Sequence, residues 1–213
     1  MEISSFNIIV FKTFDILLKV INPNFVIVGV ILQTLGSWSY LVDTLKGRIK
    51  PNKVSWLLWS ISPLIAFVAM IKQGVGITAL ATFIVGFVPL VIFIASFFNR
   101  KAEWKITTLD IFCGTLSVLG LVFWLITKVG NIAIFFSILA DGLAAIPTIV
   151  KSYLYPKTEN STIFIFGFVN AVIALLALNE WNFQNYGFPI YLLFVNALLV
   201  SLIKFKMGLV IKK

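Results

Sequence analysis

Lys46-Gly47-Arg48-Ile49-Lys50-Pro51-Asn52-Lys53-Val54-Ser55 is the stretch from which the fold is read. It packs four basic residues and a proline between two long apolar runs. A second stretch, Lys151-Ser152-Tyr153-Leu154-Tyr155-Pro156-Lys157-Thr158-Glu159-Asn160-Ser161, lies 105 residues further on and repeats the Lys-x-x-x-x-Pro spacing. In both, the proline stands just before a polar helix start, where proline is tolerated. Between 37–71 and 142–176 only Lys46/Lys151, Pro51/Pro156, Ala66/Ala171 and Ala69/Ala174 are identical. The repetition therefore rests on matching geometry rather than on matching letters.

Outward from these turns the chain is apolar. A membrane-spanning helix needs about 20 mostly apolar residues, and seven stretches qualify: 25–45, 54–71, 75–98, 106–127, 131–150, 161–178 and 186–203. With 213 residues, 60% of them hydrophobic and 12% charged, and a mean hydropathy of +1.04, the chain holds more apolar surface than one soluble core can hide. A bilayer removes that problem, because outward faces stay apolar in lipid. The expected fold class is thus an all-α membrane protein of seven transmembrane helices.

Lysine and arginine placement gives the orientation. Lys46, Arg48, Lys50, Lys53, Arg100, Lys101, Lys105, Lys151, Lys157, Lys204, Lys206, Lys212 and Lys213 fall on one side. Only Lys12, Lys19, Lys72 and Lys128 fall on the other, a split of 13 against 4. That split needs an odd number of spans. It predicts a multi-pass protein of the cell membrane, N-terminus outside and C-terminus cytoplasmic, and the residue usage fits a prokaryotic source. The net charge of +9 is spread between apolar runs instead of forming a patch, so no nucleic-acid partner is expected. The partners expected are a small-molecule substrate, the lipid bilayer and, compatible with the pattern, further copies of the chain.

The organisation follows. Residues 1–24, broken by Lys12, Asp15 and Lys19, read as an extracytoplasmic amphipathic segment. Residues 25–98 form a first three-helix repeat, 99–130 carry a linker helix, 131–206 form a second repeat, and 207–213 are a basic cytoplasmic tail. An even number of spans separates the first helix from the fifth, so the repeats run parallel and need an odd linker.

This 3+1+3 plan, with polar-proline signatures at the ends of helices 1 and 5, resembles the PQ-loop superfamily of SWEET-like transporters. The stretch Pro147-Thr148-Ile149-Val150-Lys151 with Asn160-Ser161 is similar to the family pattern of Pro-Gln, apolar residues, Lys and a helix-opening Ser. So is Val42-Asp43-Thr44-Leu45-Lys46 with Ser55. Neither carries Pro-Gln itself. A similar plan occurs in nicotinamide-riboside transporters, whose paired tryptophans Trp56 and Trp59 resemble. The family likeness implies solute transport. It also implies that Asn196 resembles the asparagine that holds sugar hydroxyls, and that Asp141 resembles the proton-coupling aspartate of cystinosin-like members. KDEL receptors share the fold, so a non-transporting receptor or scaffold is the alternative.

Polar side chains inside hydrocarbon must pair or line water, and a charge there costs about 2.5–3.5 kcal/mol on insertion scales. Counting along the spans puts Gln33, Asp141, Asn170 and Asn196 near one depth, where repeat-built transporters bind substrate. These four are the candidate substrate-binding residues. Asp141, expensive to keep ionised there, is also the candidate proton carrier; its alternative is a permanently protonated bond to a neighbouring helix. For the amides the alternative is interhelical bonding. Prolines inside spans remove a backbone donor and bend the helix, which makes Pro63 and Pro147 candidate hinges. Asp43 is read as a salt-bridged helix end or part of a cytoplasmic gate, and Asp110 as a solvated or salt-bridged end. Trp56 and Trp59 are expected at the membrane interface. The chain has no histidine and one cysteine, Cys113. It shows no phosphate-cradling glycine loop and no zinc motif, so no enzyme, cofactor or metal is expected. The functional expectation is a transporter of a sugar- or amino-acid-like solute.

Overall fold

The computed structural model describes residues 25–72, 79–127, 130–178 and 181–208. Within them the chain forms seven α-helices and two short 3-10 turns, and no strand. The helices are α1 (Val26–Leu45), α2 (Lys53–Lys72), α3 (Ala79–Ala95), α4 (Thr108–Ile126), α5 (Gly130–Leu154), α6 (Thr162–Leu176) and α7 (Phe183–Ile203). The expected amphipathic segment 1–24, the tail beyond residue 208 and Lys128 lie outside the described residues.

Among the described residues three helices are long and apolar enough to cross a membrane: α4, Ile134–Leu154 of α5 and Asn185–Ile203 of α7. They mark a membrane-associated chain. The sequence predicts seven such spans. Two further helices are apolar but shorter among the described residues, over Thr82–Ala95 and Thr162–Leu176.

Helix ends follow from a few side chains. α1 stops in a Schellman motif, with Gly47 at φ +68°. The Gly47 N–H donates to Thr44 O and the Arg48 N–H to Asp43 O, both at 2.9 Å, which satisfies the last carbonyls of the helix. The equivalent of Gly47 after α5 is Ser152, and there the helix simply continues to Leu154. α5 is therefore longer than the 131–150 the sequence predicts, and Lys151 lies inside it. α4 opens with a capping box between Thr107 and Asp110, which satisfies two otherwise orphan N–H groups.

The packing has an internal correspondence. α3 packs on both α1 and α2, and α7 packs on both α5 and α6. Across these triplets α1 packs on α6, and α2 on α5. Exchanging α1–α3 for α5–α7 maps these contacts onto one another. Individual residues obey the same exchange. Asn160 Nδ2 donates to Ser39 Oγ at 3.2 Å and to Asp43 Oδ2 at 2.6 Å. Shifted by 105 positions, those three residues become Ser55, Ala144 and Thr148. Ser55 Oγ donates to Ala144 O at 2.6 Å, and Thr148 Oγ1 donates to Ser55 Oγ at 2.9 Å.

α4 stands apart from this exchange. It packs on α5 and α2, with Gly120 against Ala140 and Ser117 Oγ donating to Ala140 O at 2.6 Å. Its other face presents Ile111 and Phe112, each 62% exposed, a surface suited to lipid.

The connections after α1, α3, α5 and α7 meet at one end of the bundle. Asn99 Nδ2 donates to Leu45 O at 2.8 Å, the Lys50 N–H donates to Thr158 O at 2.9 Å, and Gly208 lies against Tyr153. The basic residues of these connections therefore gather at the same end. The interior between that end and the middle of the bundle is filled by Tyr40, Trp56, Ile92, Phe164 and Leu199.

Candidate functional site

A cavity of about 120 Å³ opens within the bundle, well beyond the roughly 10–15 Å³ that a single water needs. Every helix except α4 contributes to its wall. α1 supplies Gln33, α5 supplies Asp141, α6 supplies Asn170 and α7 supplies Asn196. The four polar residues that the sequence places at one depth thus share one cavity. Each comes from near the middle of its helix.

Small residues make room for these side chains. A Cβ at Gly167 of α6 would lie 2.6 Å from Asn196 Oδ1, so glycine there lets Asn196 reach α6. Gly29 of α1 faces the Asn170 amide in the same way. Asn196 Nδ2 donates to Leu192 O at 2.8 Å within its own helix. Gln33 Oε1 is buried without a hydrogen-bond partner among the described residues.

Among the described residues Asp141 is the one charged residue on the cavity wall. Tyr191 of α7 donates its hydroxyl to Asp141 Oδ2 at 2.7 Å. Trp59 Nε1 donates to the Asp141 backbone carbonyl at 3.4 Å. Trp56, Trp59 and Phe164 line the side of the cavity toward the basic end. Trp56 packs in turn against Tyr40, with ring centroids 4.8 Å apart and planes inclined at 50°. Trp56 is 2% exposed, which corrects the expectation that this pair sits in the membrane interface. The pair is drawn inward because α2 packs on α3 and α5 and turns this face to the bundle interior.

The hinge and gate candidates separate. Pro63 lines the cavity, together with Pro89 of α3. Pro147 is buried nearer the basic end, in the wall of a second cavity with Lys50, Lys105 and Lys151. Asp43 pairs with Arg48 at 3.2 Å and accepts from Asn160, so it ties α1 to the turn before α6. Asp110 is neither solvated nor in an ion pair, contrary to expectation. It is 2% exposed, caps α4, and accepts from Asn52 Nδ2 at 2.5 Å. Asn52 in turn caps α2 through its Oδ1. One carboxylate thereby serves two helix starts.

The charge cluster at the basic end is the largest feature that sequence reasoning missed. Lys151 and Glu159 form an ion pair with side chains only 1% and 0% exposed. Lys151 Nζ also donates to Lys50 O and sits 5.0 Å from the centroid of the Trp104 ring. Tyr40 donates its hydroxyl to Glu159 Oε2 at 2.5 Å. α1, α5 and both repeated turns meet in this cluster. The available signal was Tyr40 within an apolar run, since a buried tyrosine hydroxyl needs a partner. Tyr191 was missed for the same reason.

The chain matches no protein-family model, and comparison with curated proteins and with solved structures finds no match to it.

Proposed function

We propose that this chain is a transporter of a small polar solute, working by alternating access between two three-helix units, α1–α3 and α5–α7, with α4 as linker. On this reading all seven helices span the cell membrane, the N-terminus lies outside and the basic end faces the cytoplasm. The PQ-loop resemblance belongs to the same reading. Gln33, Asp141, Asn170 and Asn196 bind a sugar- or amino-acid-like solute, and Asp141 couples its movement to protons. Pro63, Pro147 and Asp43 are the hinge and gate positions.

The observation that carries the reading is the makeup of the cavity wall. Six helices line it, four of them each bring one polar side chain, and the helix left out is α4. A binding site between two units that rock against each other has that composition. The exchange of Asn160–Ser39–Asp43 with Ser55–Ala144–Thr148 further supports two related units. A scaffold of this fold calls for a filled interior at this depth, so the cavity speaks against a purely structural role; a receptor that binds a peptide terminus there is the alternative.

Uptake into liposomes containing the purified chain tests the proposal, across a panel of sugars, amino acids, amines and nucleosides, with and without a proton gradient. At least one solute accumulates, and Asp141→Asn abolishes the dependence on the gradient. Gradient-driven uptake that is unchanged in that variant removes Asp141 from the mechanism. No uptake of any solute removes transport.

A further inference from the structure

The charge in the cavity wall is unbalanced among the described residues. Asp141 brings a carboxylate, and among the described lining residues there is no lysine or arginine to balance it. Among the described residues Gln33 Oε1 is a buried acceptor without a partner, and Trp56 Nε1 a buried donor without one. Pro63 and Pro89 line the cavity inside α2 and α3. A proline within a helix leaves the carbonyl four residues earlier without its helical donor. Those carbonyls belong to Trp59 and Val85, and both residues are also in the wall. The donors nearest Asp141 are already engaged, Tyr191 with its carboxylate and Trp59 with its backbone.

A site of this kind rejects an anion. A carboxylate or phosphate in the cavity would meet Asp141 without a compensating cation, at low dielectric, where repulsion is strong. A neutral polyol suits it less well, because it leaves the Asp141 charge unbalanced. A protonated amine suits it better. Its N–H groups satisfy the carboxylate, the Gln33 oxygen and the freed carbonyls, and its charge balances Asp141. The rings of Trp56, Trp59, Phe164 and Phe188 in the wall take an apolar body and attract a cation over their faces.

We infer that the transported solute is a small organic amine bound as its ammonium ion, with Asp141 as counter-ion. This rests on the transport reading and replaces its sugar- or amino-acid-like solute with another class. It disfavours free amino acids, whose own carboxylate has no partner among the lining residues.

Calorimetric titration of the purified full chain tests it with four probes: 2-phenylethylammonium, the neutral 2-phenylethanol, the anion 3-phenylpropionate, and glucose. The ammonium ion is expected to bind at least about tenfold more tightly than the alcohol, as a desolvated cation over aromatic rings and a carboxylate requires. The anion and glucose are expected not to bind. Asp141→Asn should erase the difference between amine and alcohol. Because the comparison among probes uses the unaltered chain, it stands even if that variant misfolds. Binding of glucose, the alcohol or the anion as tight as that of the amine overturns the inference and leaves transport standing. Should none of the four bind, the solute found by the uptake panel decides: an amine upholds the inference, and a neutral or anionic solute ends it. Failure of every solute to bind or move ends both readings.

Discussion

The turn after α1 and the turn after α5 carry lysine and proline at the same spacing, but Lys46 is exposed while Lys151 is 1% exposed. Two neighbouring differences account for this. Gly47 takes a left-handed conformation and ends α1, so Lys46 falls past the last helical residue. Ser152 has no such effect, α5 runs on to Leu154, and Lys151 stays in the last helical turn, where the helix dipole favours a cation. The second difference is the partner. Glu159 meets Lys151, and the position equivalent to Glu159 after α1 is the apolar Val54. A shared motif therefore marks a shared location, whereas burial is decided by the residues beside it.

The largest effect that would sharpen this contrast comes from Glu159→Gln. It leaves the Lys151 charge buried and unpaired, which costs about 3–5 kcal/mol. Thermal unfolding of the detergent-purified chain should show a large drop in Tm. The triple change Lys151→Met, Glu159→Leu and Tyr40→Phe, which also removes the hydroxyl that bonds Glu159, should recover most of it, since apolar groups of similar volume often replace a buried ion pair at little cost. A Glu159→Gln melt equal to that of the unaltered chain would mean that Lys151 reaches water.

Gly47→Ala is intermediate. Its φ of +68° costs a residue bearing a Cβ about 1–2 kcal/mol. The same measurement on Ser152→Ala should show no loss, because the Ser152 hydroxyl is buried without a partner and its removal discards an unmet group. Equal losses at both positions would break the explanation offered for the two helix ends. The smallest effect is expected from Lys46→Ala, within about 0.5 kcal/mol, as for other exposed substitutions. A drop approaching that of Glu159→Gln would erase the contrast.

The middle of the bundle was more legible than its end. Gln33, Asp141, Asn170 and Asn196 stand out in a sequence because a polar residue within an apolar run is conspicuous, and counting along a helix gives its depth. Their presence in one cavity wall is a matter of depth plus facing, and the sequence carried the first. Tyr191 and Trp59 were harder to see, since an aromatic residue looks apolar until its hydroxyl or N–H is seen to reach Asp141. At the basic end every charged residue resembled a topological signal. Nothing in the letters distinguished the exposed Lys46 from the buried Lys151, or told that Asp110 would serve Asn52 and the start of α4 together.

The sequence by itself determined the helical character of the chain, its membrane association, the existence of two turns at one offset, and the depth of the polar side chains. These depend on composition, period and spacing, which are local quantities. Only the tertiary structure decided which sides of the helices meet, that α4 stays out of the cavity wall, and that a lysine, a glutamate and a tyrosine from distant segments share one dry site. Such pairings depend on the summed packing of six helices, and a buried charge is tolerated only where that packing delivers its partner.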